Sequence, residues 1–201
     1  MIMIADRGRL GDDALTRRIE EALGAGAPAL QLRDKMSTPA ATLDFARRVA
    51  EACRTHGALF FVNDRLDVAL AADADGVHLG PDDLPVSVAR SLAGPGFLIG
   101  ASTGLPEEAV RAAEDGADYL GCGSVFGTGS KPDAGDPIGL DGLRSVVEAA
   151  SLPVVAIGGV TPRRAASIRD TGAAGTAVIS ALLGPGPVEP AVRALLAPWE
   201  A

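Results

Sequence analysis

Eight short apolar runs recur along the chain at regular intervals: MIMIAD (1–6), ALQLRDK (29–35), ALFFVND (58–64), GVHLG (76–80), FLIGAST (97–103), YLGCGSV (119–125), PVVAIGG (153–159) and GTAVISAL (175–182). Each is too short for a free-standing helix and several are rich in β-branched residues, so all eight are predicted as buried strands. Between them lie stretches with helix start and stop signals. The clearest is STPAATLDFARRVAEACRTHG, with Ser37 or Thr38 as cap, Pro39 in the first turn and Gly57 as terminator. LPEEAVRAAEDGA, LDGLRSVVEAAS and TPRRAASIRDTGA follow the same grammar. Strand then helix, repeated with connections of a few residues, is the order of a (β/α)₈ barrel of the TIM type. A doubly wound open sheet uses the same units, and periodicity alone does not show that the last strand closes on the first.

Residues 1–201 are expected to form a single compact α/β domain around one core, since no linker, low-complexity block or composition shift interrupts the pattern. Aromatics are 3% of a chain that is 47% hydrophobic, so that core must be built from Ala, Val, Leu and Ile, which suits helices packed closely on a sheet. The net charge of −8, with no basic run, argues against nucleic acid as a partner and leaves a small molecule as the expected ligand. Cys53 and Cys122 are too far apart for a metal motif and sit in apolar segments, which reads as reduced core thiols and a cytoplasmic protein. No leader-type segment opens the chain and no run of about 18 apolar residues occurs, so neither secretion nor a membrane span is expected. A homodimer is possible from the fold and the apolar content.

The polar residues fall at the C-terminal ends of the predicted strands. Strand two ends in Gln31, Arg33 and Lys35 and strand three in Asn63 and Asp64. Asp82 and Asp83 follow strand four, and strand five ends in Ser102 and Thr103. Thr128, Ser130 and Lys131 follow strand six, and strand seven ends in Gly158 and Gly159. In a (β/α)₈ barrel that face carries the active site. Gln31, Arg33 and Lys35 alternate, so on a continuing strand they point together toward the mouth while Leu30 and Leu32 face the helices. Two cations beside an amide suit a polyanion, Arg as a fork and Lys as a point charge; pairing with surface carboxylates is the plainer alternative. Asp64 and Asp83 occupy neighbouring loops. They suit a Mg²⁺ that shares its oxygen ligands with substrate phosphates, or equally they cap the helices beginning near Arg65 and Pro85. The glycines of AIGGV, with Ser180 at the end of strand eight, have the placing of a barrel phosphate site. His78, in DGVHLG, reads as a satisfied core histidine for which the sequence offers no partner, and His56 as a solvent-facing helix end.

The ordered set QLRDK, VNDRLDVAL, ADGVHLGPDDLP, GAST, ADYLGCGSVFGTGSKP, VVAIGGV and VISA resembles the thiamine-phosphate synthase family, with the thiazole tautomerases as close cousins. The resemblance implies a (β/α)₈ barrel that joins 4-amino-5-hydroxymethyl-2-methylpyrimidine diphosphate to a thiazole phosphate, giving thiamine phosphate and pyrophosphate. The diphosphate leaves first in a carbocation-like step and the thiazole nitrogen then attacks the pyrimidine methylene. By the same resemblance Arg33, Lys35, Asn63, Ser102 and Lys131 match the diphosphate contacts, and Gln31 lies alongside the pyrimidine. Asp64 and Asp83 match the Mg²⁺ ligands, and Thr128, Ser130, Gly159, Ile179 and Ser180 match the thiazole-phosphate positions. The loop GTGSKPDAGDP (127–137) is then expected to act as a lid. The family often has Tyr where this chain has Ile2, and often His where it reads Gly104. The missing His counts against a tautomerase, while Asp64, Asp83 and Lys131 favour the synthase. A non-catalytic barrel that binds a thiamine precursor is the alternative from another class.

Overall fold

The computed structural model describes residues 1–127, 129 and 136–200. Eight strands, β1 Ile2–Asp6, β2 Ala29–Arg33, β3 Leu59–Asn63, β4 Gly76–Leu79, β5 Leu98–Thr103, β6 Tyr119–Cys122, β7 Val154–Ala156 and β8 Gly175–Val178, pair in parallel and in chain order. The sheet closes: Ile2 pairs with Ala177 of β8 as well as Ala29 of β2. That closure rules out the open doubly wound sheet.

Helices α1 Asp12–Gly24, α2 Pro39–His56, α3 Leu66–Ala71, α4 Val86–Ala93, α5 Pro106–Glu114, α6 Gly139–Ala149, α7 Ala165–Arg169, α8 Ser180–Leu183 and α9 Val188–Leu196 fill the crossovers and the C-terminal end. α2 starts and stops where its sequence signals lie. Thr38 caps it through the Ala41 N–H, Pro39 occupies the first turn, and Gly57 ends it at φ +67°. Several elements are shorter than the patterns that predicted them; β7 stops at Ala156, so Gly158 and Gly159 follow the strand instead of ending it. TPRRAASIRDTGA divides into a 3₁₀ turn, Pro162–Arg164, and the five residues of α7. β8 stops at Val178, and the chain turns at Ile179 so that Ser180 opens α8 instead of ending a strand.

Strand alternation separates two apolar layers. Outward-facing Leu30, Leu32, Phe60, Val62, Ile99 and Leu120 pack against the helices in the main core, which also takes in both cysteines. Burial pushes the thiols of Cys53 and Cys122 up to about 12, so both are inert at neutral pH. Inward-facing Ile2, Ile4, Ala29, Phe61 and Ala177 form a second cluster that fills the barrel. The N-terminal ends of the strands are tied by carboxylates. Asp75 accepts from the Phe60 N–H and Asp118 from the Ile99 N–H, each at 2.7 Å, linking the start of one strand to its neighbour. Among the described residues no helix is long and apolar enough to cross a membrane.

Candidate active site

Asp64, Asp83 and Lys35 converge at the C-terminal mouth. The chain leaves β3 with Asp64 at φ +64°, a conformation that Asp tolerates better than most residues, and its N–H donates to the His78 carbonyl at 2.8 Å. Its carboxylate makes a short ion pair with Lys35 Nζ and a hydrogen bond with Asp83. Asp83 is held in turn by the Gly80 N–H at 2.7 Å. Burial, and then the hydrogen bond with Asp64, raise the Asp83 carboxyl above its ordinary range, and Lys35 offsets part of that rise. The capping alternative fails. The N-cap residues of α3 and α4 are Arg65 and Pro85, and neither helix has a side-chain cap bond among the described residues. Both carboxylates are instead spent on each other, on Lys35 and on the loop.

The two cations of the QLRDK run are both at the mouth, on different supports. β2 ends at Arg33, in register with Asp6 of β1, and the guanidinium donates to the buried Asp6 carboxylate at 2.8 Å. Its carboxylate partner is therefore a strand-end residue of the barrel and not a surface one. Lys35 lies beyond the strand, in the β2–α2 connection, so continuing alternation does not place it; Asp34 does. The Asp34 carboxylate accepts from the N–H groups of Met36 and Ser37, from Thr42 Oγ1 and from Arg7 Nη1. Burial alone would raise this acid, but the hydrogen bonds from Ser37, Met36 and Thr42 draw it down to about 2.

Deeper in the mouth, Gln31 is buried on β2, Asn63 ends β3, and Ser102 is the last residue but one of β5. Here the sequence reading is corrected for His78, which has partners. Its Nδ1 lies 3.1 Å from Tyr119 Oη and its Nε2 3.1 Å from Ser102 Oγ. Burial holds the Tyr119 hydroxyl well above the usual phenol range, and the neighbouring Gln31 side chain offsets part of that rise. Register makes the contact of His78 with Tyr119 possible, for His78 is level with Gly100, which is level with Tyr119. A Cβ at Gly100 would stand 2.2 Å from the tyrosine ring, and one at Gly121 2.8 Å from the imidazole. The two glycines are the space into which the rings fit.

Across the mouth, Gly158 and Gly159 take φ +94° and +63°. A Cβ at Gly159 would lie 2.4 Å from the Gly127 carbonyl, so only glycine lets this turn lie against the start of the β6–α6 connection. Phe126 N–H donates to Gly158 O at 3.1 Å. Arg164 donates to Gly159 O at 2.7 Å and stacks over the Phe126 ring at 4.3 Å. Ile179 is half-buried and Ser180 exposed at the adjoining start of α8. Thr128, Ser130 and Lys131 lie outside the described residues. Their neighbours Gly127 and Gly129 are placed, Gly129 accepting from Arg9 Nη2 at 3.5 Å.

Sequence reasoning missed Asp6, Asp34 and Tyr119 as parts of this site. Asp6 closes the first apolar run as Asn63 closes the third, and the same strand-end rule reaches it. Tyr119, the chain's only tyrosine, opens a four-residue strand and carries no local signal of facing inward.

The family model described as thiamine monophosphate synthase matches residues 1–182. The chain is 50% identical over 177 residues to thiamine-phosphate synthase of Moorella thermoacetica, covering 88% of this chain and 84% of the relative. It is 49% identical over 177 residues to the Pyrococcus furiosus thiamine-phosphate synthase, with the same two shares covered. Among solved structures, thiamine phosphate pyrophosphorylase from Pyrococcus furiosus superposes with a TM-score of 0.89 at 44% identity, over 99% of this chain and 95% of that one. A 3-hexulose-6-phosphate synthase at 17% identity and a TM-score of 0.71 shares the fold.

Proposed function

The chain belongs to the thiamine monophosphate synthase family, and from that premise we propose that its barrel mouth joins 4-amino-5-hydroxymethyl-2-methylpyrimidine diphosphate to a thiazole phosphate. The products are thiamine phosphate and pyrophosphate. One observation carries the reading: Arg33, Lys35, Ser102 and the Asp64–Asp83 pair meet at the same end of the barrel.

The chemistry asks little covalent help of a protein. The C–O bond between the pyrimidine methylene and the diphosphate breaks with its electron pair going to oxygen, and the thiazole nitrogen supplies the pair for the new C–N bond. The chain must neutralise the leaving charge and hold two reactants in line. Arg33, fixed by Asp6, presents a fork of donors to an anion, and Lys35, tethered by Asp64, adds a point charge. Ser102 and Asn63 add neutral donors at the strand ends, and Lys131 adds a third cation in this reading. Gln31 lies beneath them for the pyrimidine. Gly159, Ile179 and Ser180, with Thr128 and Ser130 of the β6–α6 connection, hold the thiazole phosphate.

Asp64 and Asp83 fit a Mg²⁺ ion. Two neighbouring carboxylates, one of them raised by burial and by the other, form an all-oxygen donor pair short of counter-charge. No group of three or more His, Cys, Asp or Glu suited to a metal occurs among the described residues. Two protein carboxylates with the remaining positions left to substrate phosphates and water are what Mg²⁺ accepts. When bound, the ion supplies positive charge to the departing diphosphate. A cytoplasmic setting and a homodimer belong to the same proposal. The inert thiols support the first; Val88 and Leu92, exposed four residues apart on α4, with exposed Leu84 just before the helix, support the second.

The test mixes the purified protein with both substrates and Mg²⁺ and follows thiamine phosphate and pyrophosphate. One-to-one formation of the two, lost on chelation, is expected. Absence of product with metal present would overturn the reading.

A further inference from the structure

Arg7, the first residue past β1, extends the ladder by donating its N–H to the Arg33 carbonyl at 3.0 Å. Its side chain leaves the barrel for the helix layer, where it meets α1 and α2. The guanidinium is divided between two acids. Nε and Nη2 donate to Asp12, in the first turn of α1, at 2.8–3.0 Å, while Nη1 donates to Asp34 at 2.7 Å and to the Ala41 carbonyl at 3.3 Å. Its face lies over the Phe45 ring of α2, 4.6 Å from the centroid. The Arg7 side chain is 13% exposed and that of Asp34 1%, and among the described residues Arg7 is the one cation paired with Asp34.

A carboxylate so buried takes its place from the groups that satisfy it. Two of its donors, the N–H groups of Met36 and Ser37, travel with the loop. Arg7 and Thr42 are the two that tie Asp34 to the scaffold, and only Arg7 brings charge. Lys35 stands between Asp34 and Met36, so its backbone is clamped on both sides while its side chain is half in water. A flexible stem of that kind is placed by the backbone it leaves. The position of Asp34 therefore decides whether the ammonium reaches Asp64, and Arg7, held from two helices, decides the position of Asp34.

We propose that Arg7 is a positioning residue for the transfer: through Asp34 it fixes the backbone that delivers Lys35 to the diphosphate, from the helix side of the barrel and without touching either substrate. The inference rests on the synthase reading for the identity of the anion. Arginine is required because a planar fork spans two acids while its face rests on a ring, and a single ammonium does not.

The test is a double-mutant cycle with Lys35→Ala, read by binding and by rate. Arg7→Gln is expected to weaken the binding of inorganic pyrophosphate with Mg²⁺, measured by calorimetry, about tenfold and to lower kcat about tenfold, the scale of a misplaced charge. The KM for the thiazole phosphate should stay within about twofold. In the Lys35→Ala background the same substitution should change binding and kcat by no more than about twofold, because the group it positions is gone. Arg7→Lys keeps a charge beside the buried acid and loses the fork, and it enters the same cycle if Arg7→Gln does not fold. A purely structural role predicts a lower melting temperature, with binding and kcat either unchanged or lowered by factors that multiply with those of Lys35→Ala. Either result overturns the proposal and leaves the synthase reading intact. A wild type that forms no thiamine phosphate overturns both.

Discussion

Asp64 holds three things at once: a left-handed backbone, the Lys35 ammonium and the Asp83 carboxyl. Substitution has to separate these. Asp64→Ala would strain the backbone, because alanine is poor at φ near +64°, and a loss of activity would then be ambiguous. Asp64→Asn keeps a residue that accepts this conformation and removes only the charge. We expect it to raise the Mg²⁺ concentration for half-maximal rate at least about tenfold and to lower the rate at saturation by about 100-fold, the scale of losing a group that stabilises developing charge. Melting should move by no more than about 2 °C, because relief of repulsion with Asp83 offsets the lost ion pair. Metal titration of the rate, with a melt on the same sample, reads both. A fall of several degrees with unchanged metal dependence would make Asp64 a structural residue.

The connection between β2 and α2 gives Lys35 its position, and Asp34 organises it through four donors from residues 7, 36, 37 and 42. Its carboxyl is drawn from the ordinary 3.8 to about 2 in the folded chain. A folded value below the unfolded one means that the group stabilises the fold fully above about pH 4, and that the contribution disappears as pH falls from about 4 toward 2. Asp34→Asn should therefore be less stable at pH 7 and show a shallower loss in that acid window, measured by urea unfolding at a series of pH values. Parallel curves for variant and wild type would mean that Asp34 does not carry this linkage. The element also shows where sequence reading stops. All eight strands are legible because burial on both faces leaves continuous apolar runs, and α2 is legible because Thr38, Pro39 and Gly57 act within a turn of its ends. The residues at the strand ends follow from the fold class, which names Arg33, Asn63, Asp64 and Ser102 by position. What Lys35, Ser180 and His78 do depends on contacts across the barrel. Lys35 is off its strand because Asp34 folds the loop, Ser180 starts a helix because the chain turns at Ile179, and His78 finds Tyr119 only through register with Gly100. No local pattern of a single chain contains those facts.

The barrel as a whole divides its labour between its two ends, and that division can be measured. At the mouth, charges are held close to one another, and burial together with Asp64 raises the Asp83 carboxyl. At the opposite end Arg90 of α4 donates to the carbonyls of Gly94, Phe97 and Gly116 and to Asp118, whose carboxylate also holds the start of β5. Removing this side chain leaves three carbonyls and a carboxylate short of donors. The side chains of Arg90 and Asp118 are 22% and 38% exposed, so water recovers part of the loss, and about 2–3 kcal/mol is expected for Arg90→Ala. For a chain of this length that is a drop of roughly 5–10 °C in Tm. Because none of these groups faces the mouth, kcat/KM well below the melting range should stay within about twofold of wild type. The stronger form of the claim is additivity. Arg90→Ala and Asp64→Asn share no partner and sit at opposite ends of the strands, so the stability change of the double variant should equal the sum of the singles within about 0.5 kcal/mol, and its metal dependence should be that of Asp64→Asn alone. A coupling larger than that, or an Arg90 variant that alters Mg²⁺ dependence, would show the two ends to be one cooperative site and the division of labour to be wrong.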